Sequence, residues 1–138
     1  MKAKEFLQKA YRIDQRINSK LEQVTSLREL ATKATATLQD SPIKGSRHVH
    51  SMEDIIAKMA DLETEINQNI IELVELKGEI VSVIQKIDNP EHQTLLELRY
   101  LCFKTWEQIA VEMYYSVRNI YKLHDQAMAI VQKNLRVQ

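Results

Sequence analysis

A chain of 138 residues with two glycines and two prolines has little material for hairpins or phosphate-cradling loops. Its wealth of Leu, Ile, Glu, Gln, Lys and Ala favours an all-α fold. Nineteen basic and nineteen acidic residues cancel, so bulk electrostatics cannot hold nucleic acid and any such contact must come from a local patch.

Cys102 is the one cysteine and forms no internal disulfide. Its neighbours Leu101 and Phe103 point to a buried thiol, and a reduced cytoplasm fits. The opening Met1-Lys2-Ala3-Lys4-Glu5 leads into a mixed polar helix without a secretory h-region. No apolar run approaches the roughly 20 residues of a bilayer span. The expectation is a cytoplasmic protein with no membrane partner.

Residues 3–38 read as one long amphipathic helix. Phe6, Ala10, Ile13, Ile17, Leu21 and Val24 begin a narrow stripe at steps of three and four that continues to Leu38. The stretch from Gln39 to His50 breaks the pattern, with turn clusters at Asp40-Ser41-Pro42 and Lys44-Gly45-Ser46. A second long helix is expected from Ser51 as N-cap, its stripe running from Met52 through Ile66 and Leu73 to Ile87. Two such helices joined by a short loop fold back as an antiparallel hairpin. Residues 1–40 carry eight basic and five acidic groups, net +3, and residues 41–89 five and nine, net −4. These opposite signs favour the pairing, though exposed ion pairs are individually weak. Asn67, Gln68 and Asn69 interrupt the second stripe and are candidates for fixing register or oligomer state.

Asn89-Pro90 opens a new module, with Asn89 as N-cap and Pro90 at the first helical position. The predicted domains are therefore a hairpin over 1–88, expected to serve oligomerisation, and a module over 89–138. The module reads as three helices. The first covers Pro90 to about Cys102. The second is Trp106 to Met113, with a capping box from Thr105 and Gln108. The third is capped by Ser116 and runs to about Leu135.

The last two helices meet the requirements of a helix-turn-helix. Ala110 is the small residue at their crossing, Ile109 and Met113 flank it, and Ile120 and Leu123 anchor the third helix. Tyr114 stands where such a turn wants Gly or Asn for positive φ. Burial of Ile120, Leu123 and Ala127 turns Val117, Arg118, Asn119, Tyr121, Lys122, Asp125 and Gln126 outward. Arg118 and Asn119 are the candidates for reading base edges in the major groove. Lys104, Thr105, Ser116 and Lys122 are candidates for phosphate contacts.

The segment from Leu95 to Ala129 resembles the region-four DNA-binding domain of bacterial sigma factors. The resemblance rests on Leu98-Arg99-Tyr100, Thr105-Trp106-Glu107-Gln108-Ile109-Ala110 and Leu123-His124. Nearly the whole chain is similar to small phage and prophage regulators of Gram-positive bacteria, of the RinA and ArpU type. The resemblance implies a transcriptional regulator, an activator of phage late and packaging genes. It departs from the pattern at Tyr114.

Other features have plainer explanations. Trp106 suits the three-helix core, and His124 a surface or core-edge position. His48 and His50, with Asp40 or His92, lack the cysteines or the i, i+4 histidine pair of a zinc site. The acidic residues Asp61, Glu63, Glu65, Glu72, Glu75 and Glu79 suit a solvated helix face. No nucleophile–base pair, Gly-rich loop or HExxH spacing is present, so no enzyme activity, cofactor, metal or small-molecule ligand is expected. The expected partner is double-stranded DNA, bound by a homodimer. The alternatives are a sigma-like factor acting with RNA polymerase and a helical adaptor that binds protein.

Overall fold

The computed structural model describes the backbone of residues 2–40 and 45–137, and side chains within 2–36 and 52–136. The architecture is all-α: α1 (Ala3–Asp40), α2 (Gly45–Gln85), α3 (Pro90–Leu96), α4 (Trp106–Met113) and α5 (Val117–Val137). A turn of π-helix, Glu97–Leu101, extends α3. There is no strand among the described residues. Among the described residues no helix is long and apolar enough to cross a membrane.

Residues 41–44, including Pro42, lie outside the described residues, as do the side chains of Asp40, His48, His50 and Ser51. The second helix starts at Gly45, ahead of the Ser51 expected to cap it. No proline follows Pro42 in that stretch, so nothing forbids the helix from extending back through residues 45–50.

The chain divides into two compact units, residues 15–71 and residues 1–14 with 72–138. In the first, α1 and α2 form an antiparallel pair. Ile17, Val24 and Ile66 are buried there, with Leu27 and Leu62 half-buried. Leu21, predicted in the seam, is instead 47% exposed. Asn69 is buried and its Oδ1 accepts from Lys20 Nζ at 2.8 Å, while Glu65 lies 3.6 Å from the same ammonium. Part of the interruption read at residues 67–69 is thus a satisfied polar bond inside the pair.

The second unit has two adjoining cores. Leu7, Ala10, Ile80, Ile84, Leu96, Tyr100, Ala127 and Val131 form the larger one. The smaller is Leu95, Ile109, Ala110 and Ile120, with Leu98, Trp106, Met113 and Leu123 packed against it. The module predicted for 89–138 thus shares its core with the first turns of α1 and the last turns of α2. Ala3, Phe6 and Leu7 are buried at that end of α1. Truncating a residue such as Ile109 or Ile120 to Ala would cost about 2–5 kcal/mol.

α2 ends at Gln85, two residues short of the predicted Ile87. Gln93 Nε2 donates to the carbonyl of Ile87 at 2.7 Å, just past the helix end, and to that of Ile84 at 3.4 Å, which also accepts the Ile87 amide at 3.0 Å. Asn89 then caps α3, its Oδ1 accepting from the Glu91 amide at 2.9 Å, with Pro90 at the first helical position. The predicted helix from Pro90 to about Cys102 is present through Leu101, but it is not α-helical throughout, because from Glu97 onward the hydrogen bonds skip to i→i+5. The Cys102 amide reaches the Glu97 carbonyl at 3.0 Å. Cys102 is consequently exposed, not buried as its neighbours suggested. Phe103 follows with φ 58°.

Candidate nucleic-acid interface

α4, a short turn and α5 carry the candidate residues. Thr105 and Gln108 form the predicted capping box: the Gln108 amide donates to Thr105 Oγ1 at 3.2 Å, and the Thr105 amide donates to Gln108 Oε1 at 2.9 Å. α4 ends at Tyr114, which adopts the left-handed conformation, φ 60° and ψ 40°. The turn therefore demands the positive φ expected of it, and a tyrosine supplies it. The Tyr115 amide closes the turn on the Ala110 carbonyl at 3.0 Å. Its phenol donates to Glu91 Oε1 at 2.6 Å, tying the turn to the start of α3. That bond and the adjacent carboxylate hold the Tyr115 hydroxyl above its usual pKa. Ser116 Oγ accepts the Asn119 amide at 3.1 Å and starts α5.

Ile120 and Ala127 are buried, and Leu123 packs on the Ile109–Ala110 core, so one face of α5 is committed to packing. Arg118, Asn119, Tyr121, Lys122 and Gln126 are exposed with Asp125, as the spacing predicted. Ser116 and Thr105 are also exposed at the starts of α5 and α4. Val117 departs from expectation: it is half-buried and packs against the smaller core, because it stands one turn before Ile120. Lys104 is half-buried and pairs with Glu112, which lowers the positive charge it offers outward. The Gln126 Oε1 lies 3.3 Å from Nε2 of buried His92, tying part of that side chain to α3. The exposed cationic face thus narrows to Arg118 and Lys122, with Asn119 and Tyr121 between them.

Several supporting groups carry no signal in the spacing. The Arg99 guanidinium stacks 4.2 Å over the Trp106 ring and donates to the Lys104 carbonyl at 2.9 Å. Trp106 is half-buried; its ring meets Tyr121 edge-on at 5.3 Å and His124 at 4.8 Å. This stack joins the start of α4 to the exposed face of α5 and orients Tyr121. Beneath it, the Tyr100 hydroxyl and His124 Nε2 are 2.6 Å apart. Burial pushes the Tyr100 pKa up to about 12 despite the opposing pull of Arg99. Burial lowers that of His124, Arg99 and Lys4 lower it further, and Asp125 works against them. Among the described residues no group of His, Cys, Asp and Glu is arranged to hold a metal.

A family model described as Protein of unknown function (DUF1492) matches residues 32–132. No curated protein and no solved structure matches the chain.

Proposed function

The chain belongs to the DUF1492 family, and we propose that it is a sequence-specific DNA-binding transcription regulator whose α5 reads the major groove. The observation that carries this reading is the α4–turn–α5 geometry. Ala110 and Ile120 pack at its centre, while Arg118, Asn119, Tyr121 and Lys122 form one exposed face on the first two turns of α5. Such an arrangement supports reading the pair as a helix-turn-helix, in which the start of the second helix meets base edges. Arg118 pairs with guanine and Asn119 with adenine, while Lys122, Thr105 and Ser116 contact phosphates. The face is locally basic in a chain of zero formal net charge, so affinity comes from fitted contacts more than from a diffuse field.

In this reading the protein works as a homodimer that sets two recognition helices about 34 Å apart, one turn of DNA. Its regulated targets are phage late and packaging genes, following the sequence resemblance. Selection of a random duplex library by the pure protein, at moderate salt and over several rounds, tests the reading. An enriched motif that Arg118→Ala loses supports it, and an absence of enrichment overturns it.

A second reading keeps the fold and adds a protein partner. Val111 on the outer face of α4 is 76% exposed and Tyr114 in the turn 94%. Two large side chains so placed, on a module beside a modest cationic face, suit a factor that acts together with RNA polymerase. Copurification of the polymerase, lost on Val111→Glu, supports it.

A further inference from the structure

α2 bears two seams. The inner one, with Leu62, Ile66, Asn69, Leu73, Leu76 and Ile80, is buried or half-buried. On the opposite side a second set begins at Ala57 and Ala60 and continues through Asn67, Ile71, Val74 and Val81. Its steps alternate three and four, with Thr64 and Gly78 filling the intervening positions. Every one of these residues is exposed, Ile71 at 61% and Val74 at 65%. The mean step is the period of a coiled-coil seam. No charged residue falls on it, although Lys58, Asp61, Glu63, Glu65, Glu72 and Glu75 crowd its flanks. A solvated face would share those charges; this one excludes them.

Gly78 adds an independent observation. A Cβ at this position would meet nothing within 4 Å, so no contact inside the chain calls for glycine in mid-helix, where it weakens the helix. Close approach of another helix backbone does call for it. Thr64 Oγ1 is already bonded to the Ala60 carbonyl at 3.1 Å, so burying it orphans no donor.

We propose that this outer face is the homodimer interface, a parallel seam of α2 against α2 of a second copy. The inference rests on the dimeric reading above for its partner and names the surface that makes it. Asn67 chooses the direction. Side by side and in register, Glu63, Ile70 and Lys77 on one flank meet the residues five positions later in the other copy. Glu63 then faces Gln68, Ile70 faces Glu75, and Lys77 faces Ser82, with no like charges opposed. The antiparallel arrangement, in which Asp61 against Glu75 is offset by Glu63 against Lys77, buries Asn67 against Ile71 and leaves the amide unpaired. In the parallel seam Asn67 meets Asn67 of the second copy and the two amides bond to each other. Ile56 and Ile70, 58% and 42% exposed, extend the apolar edge.

Sedimentation equilibrium of the full chain without DNA tests the surface. The wild type is expected to be a dimer. The pair Ile71→Glu with Val74→Glu is expected to be a monomer of unchanged helicity by circular dichroism. A monomeric wild type, or a charged pair that still dimerises, overturns the proposal. Direction is read separately with Val74→Cys in a Cys102→Ser background. Oxidation is expected to link two copies through this position, and a dimer that fails to link overturns the parallel seam. Because no readout uses DNA, failure of the DNA reading and failure of this interface are distinguishable.

Discussion

The Tyr100 hydroxyl lies 2.6 Å from Nε2 of His124, so the π-turn and α5 share a part-buried hydrogen bond directly behind the exposed face. With its pKa pushed up to about 12, Tyr100 keeps its proton. When it donates to His124, the ring accepts at Nε2 in its neutral form, with its own proton on Nδ1.

The folded pKa of His124 lies below its ordinary 6.5. As pH falls below that value the unfolded chain takes up the proton first, so stability is complete above it and is lost as pH drops toward the folded pKa. Thermal melts from pH 7.5 down to 5 (bracketing the imidazole range) are expected to show a falling Tm in the wild type. A shallower fall is expected in His124→Gln, which keeps an acceptor without the titration. Equal slopes would mean that His124 is not the group responsible.

Lys20 and Asn69 make a second part-buried bond, and its value is asymmetric. Lys20→Met leaves Asn69 Oδ1 buried without its donor, expected to cost about 1–3 kcal/mol. Adding Asn69→Leu removes the orphaned acceptor and is expected to recover most of that loss. Urea denaturation of the wild type, the single variant and the double variant reads both steps. A double variant no more stable than the single one would contradict the assignment.

Local chemistry is what the sequence makes legible here. Asn89-Pro90, Thr105 with Gln108, and Ser116 mark helix starts because each cap is satisfied within a few residues, and α4 occupies the predicted Trp106–Met113. The π-turn at Glu97–Leu101 leaves no such mark, since a shift to i→i+5 bonding changes no residue type. Its consequences, the exposed Cys102 and the positive φ of Phe103, were hidden with it. A stripe of α1 with steps alternating between three and four suits residues that face one helix. Near Ala3 that helix also meets α5, where the Ala3 amide donates to Gln132 Oε1 at 2.8 Å. The buried face widens there to include Leu7. Among the candidate contacts, the exposed positions of Arg118, Asn119 and Lys122 followed from helical period alone. The diversion of Gln126 to His92 depends on which helices become neighbours, and that of Lys104 to Glu112 on the path of the chain into α4; helical spacing encodes neither.

Two residues with positive φ should respond in opposite ways to glycine. Tyr114 is 94% exposed, so its ring returns little for the left-handed conformation. Tyr114→Gly is expected to stabilise the protein by about 1 kcal/mol. Phe103 shares the conformation, but its ring meets Tyr11 in a tilted contact at 5.6 Å and lies under Lys77 Nζ at 4.9 Å. Phe103→Gly loses both contacts and is expected to destabilise. Melting temperatures decide each case, and a destabilised Tyr114→Gly would show that the exposed ring is held by something in solution.

Arg118 and Lys122 lie one turn apart on α5, yet their removal should leave different signatures. Arg118 stands among the first residues of the helix, where base edges come within reach, so Arg118→Ala is expected to cost about 1–3 kcal/mol on the selected sequence. It should also flatten preference at one base pair, since the bidentate match to guanine is what discriminates. Lys122 lies a turn further along and offers a point charge. Lys122→Ala should therefore weaken all duplexes alike and reduce the slope of log affinity against log salt by about 1. Titrations on the selected site and on an unrelated duplex, repeated at several salt concentrations, separate the two effects. If both variants act uniformly, α5 touches only the backbone and the base-reading role of Arg118 is lost. If neither changes binding while the wild type remains specific, the reading face lies elsewhere on the module.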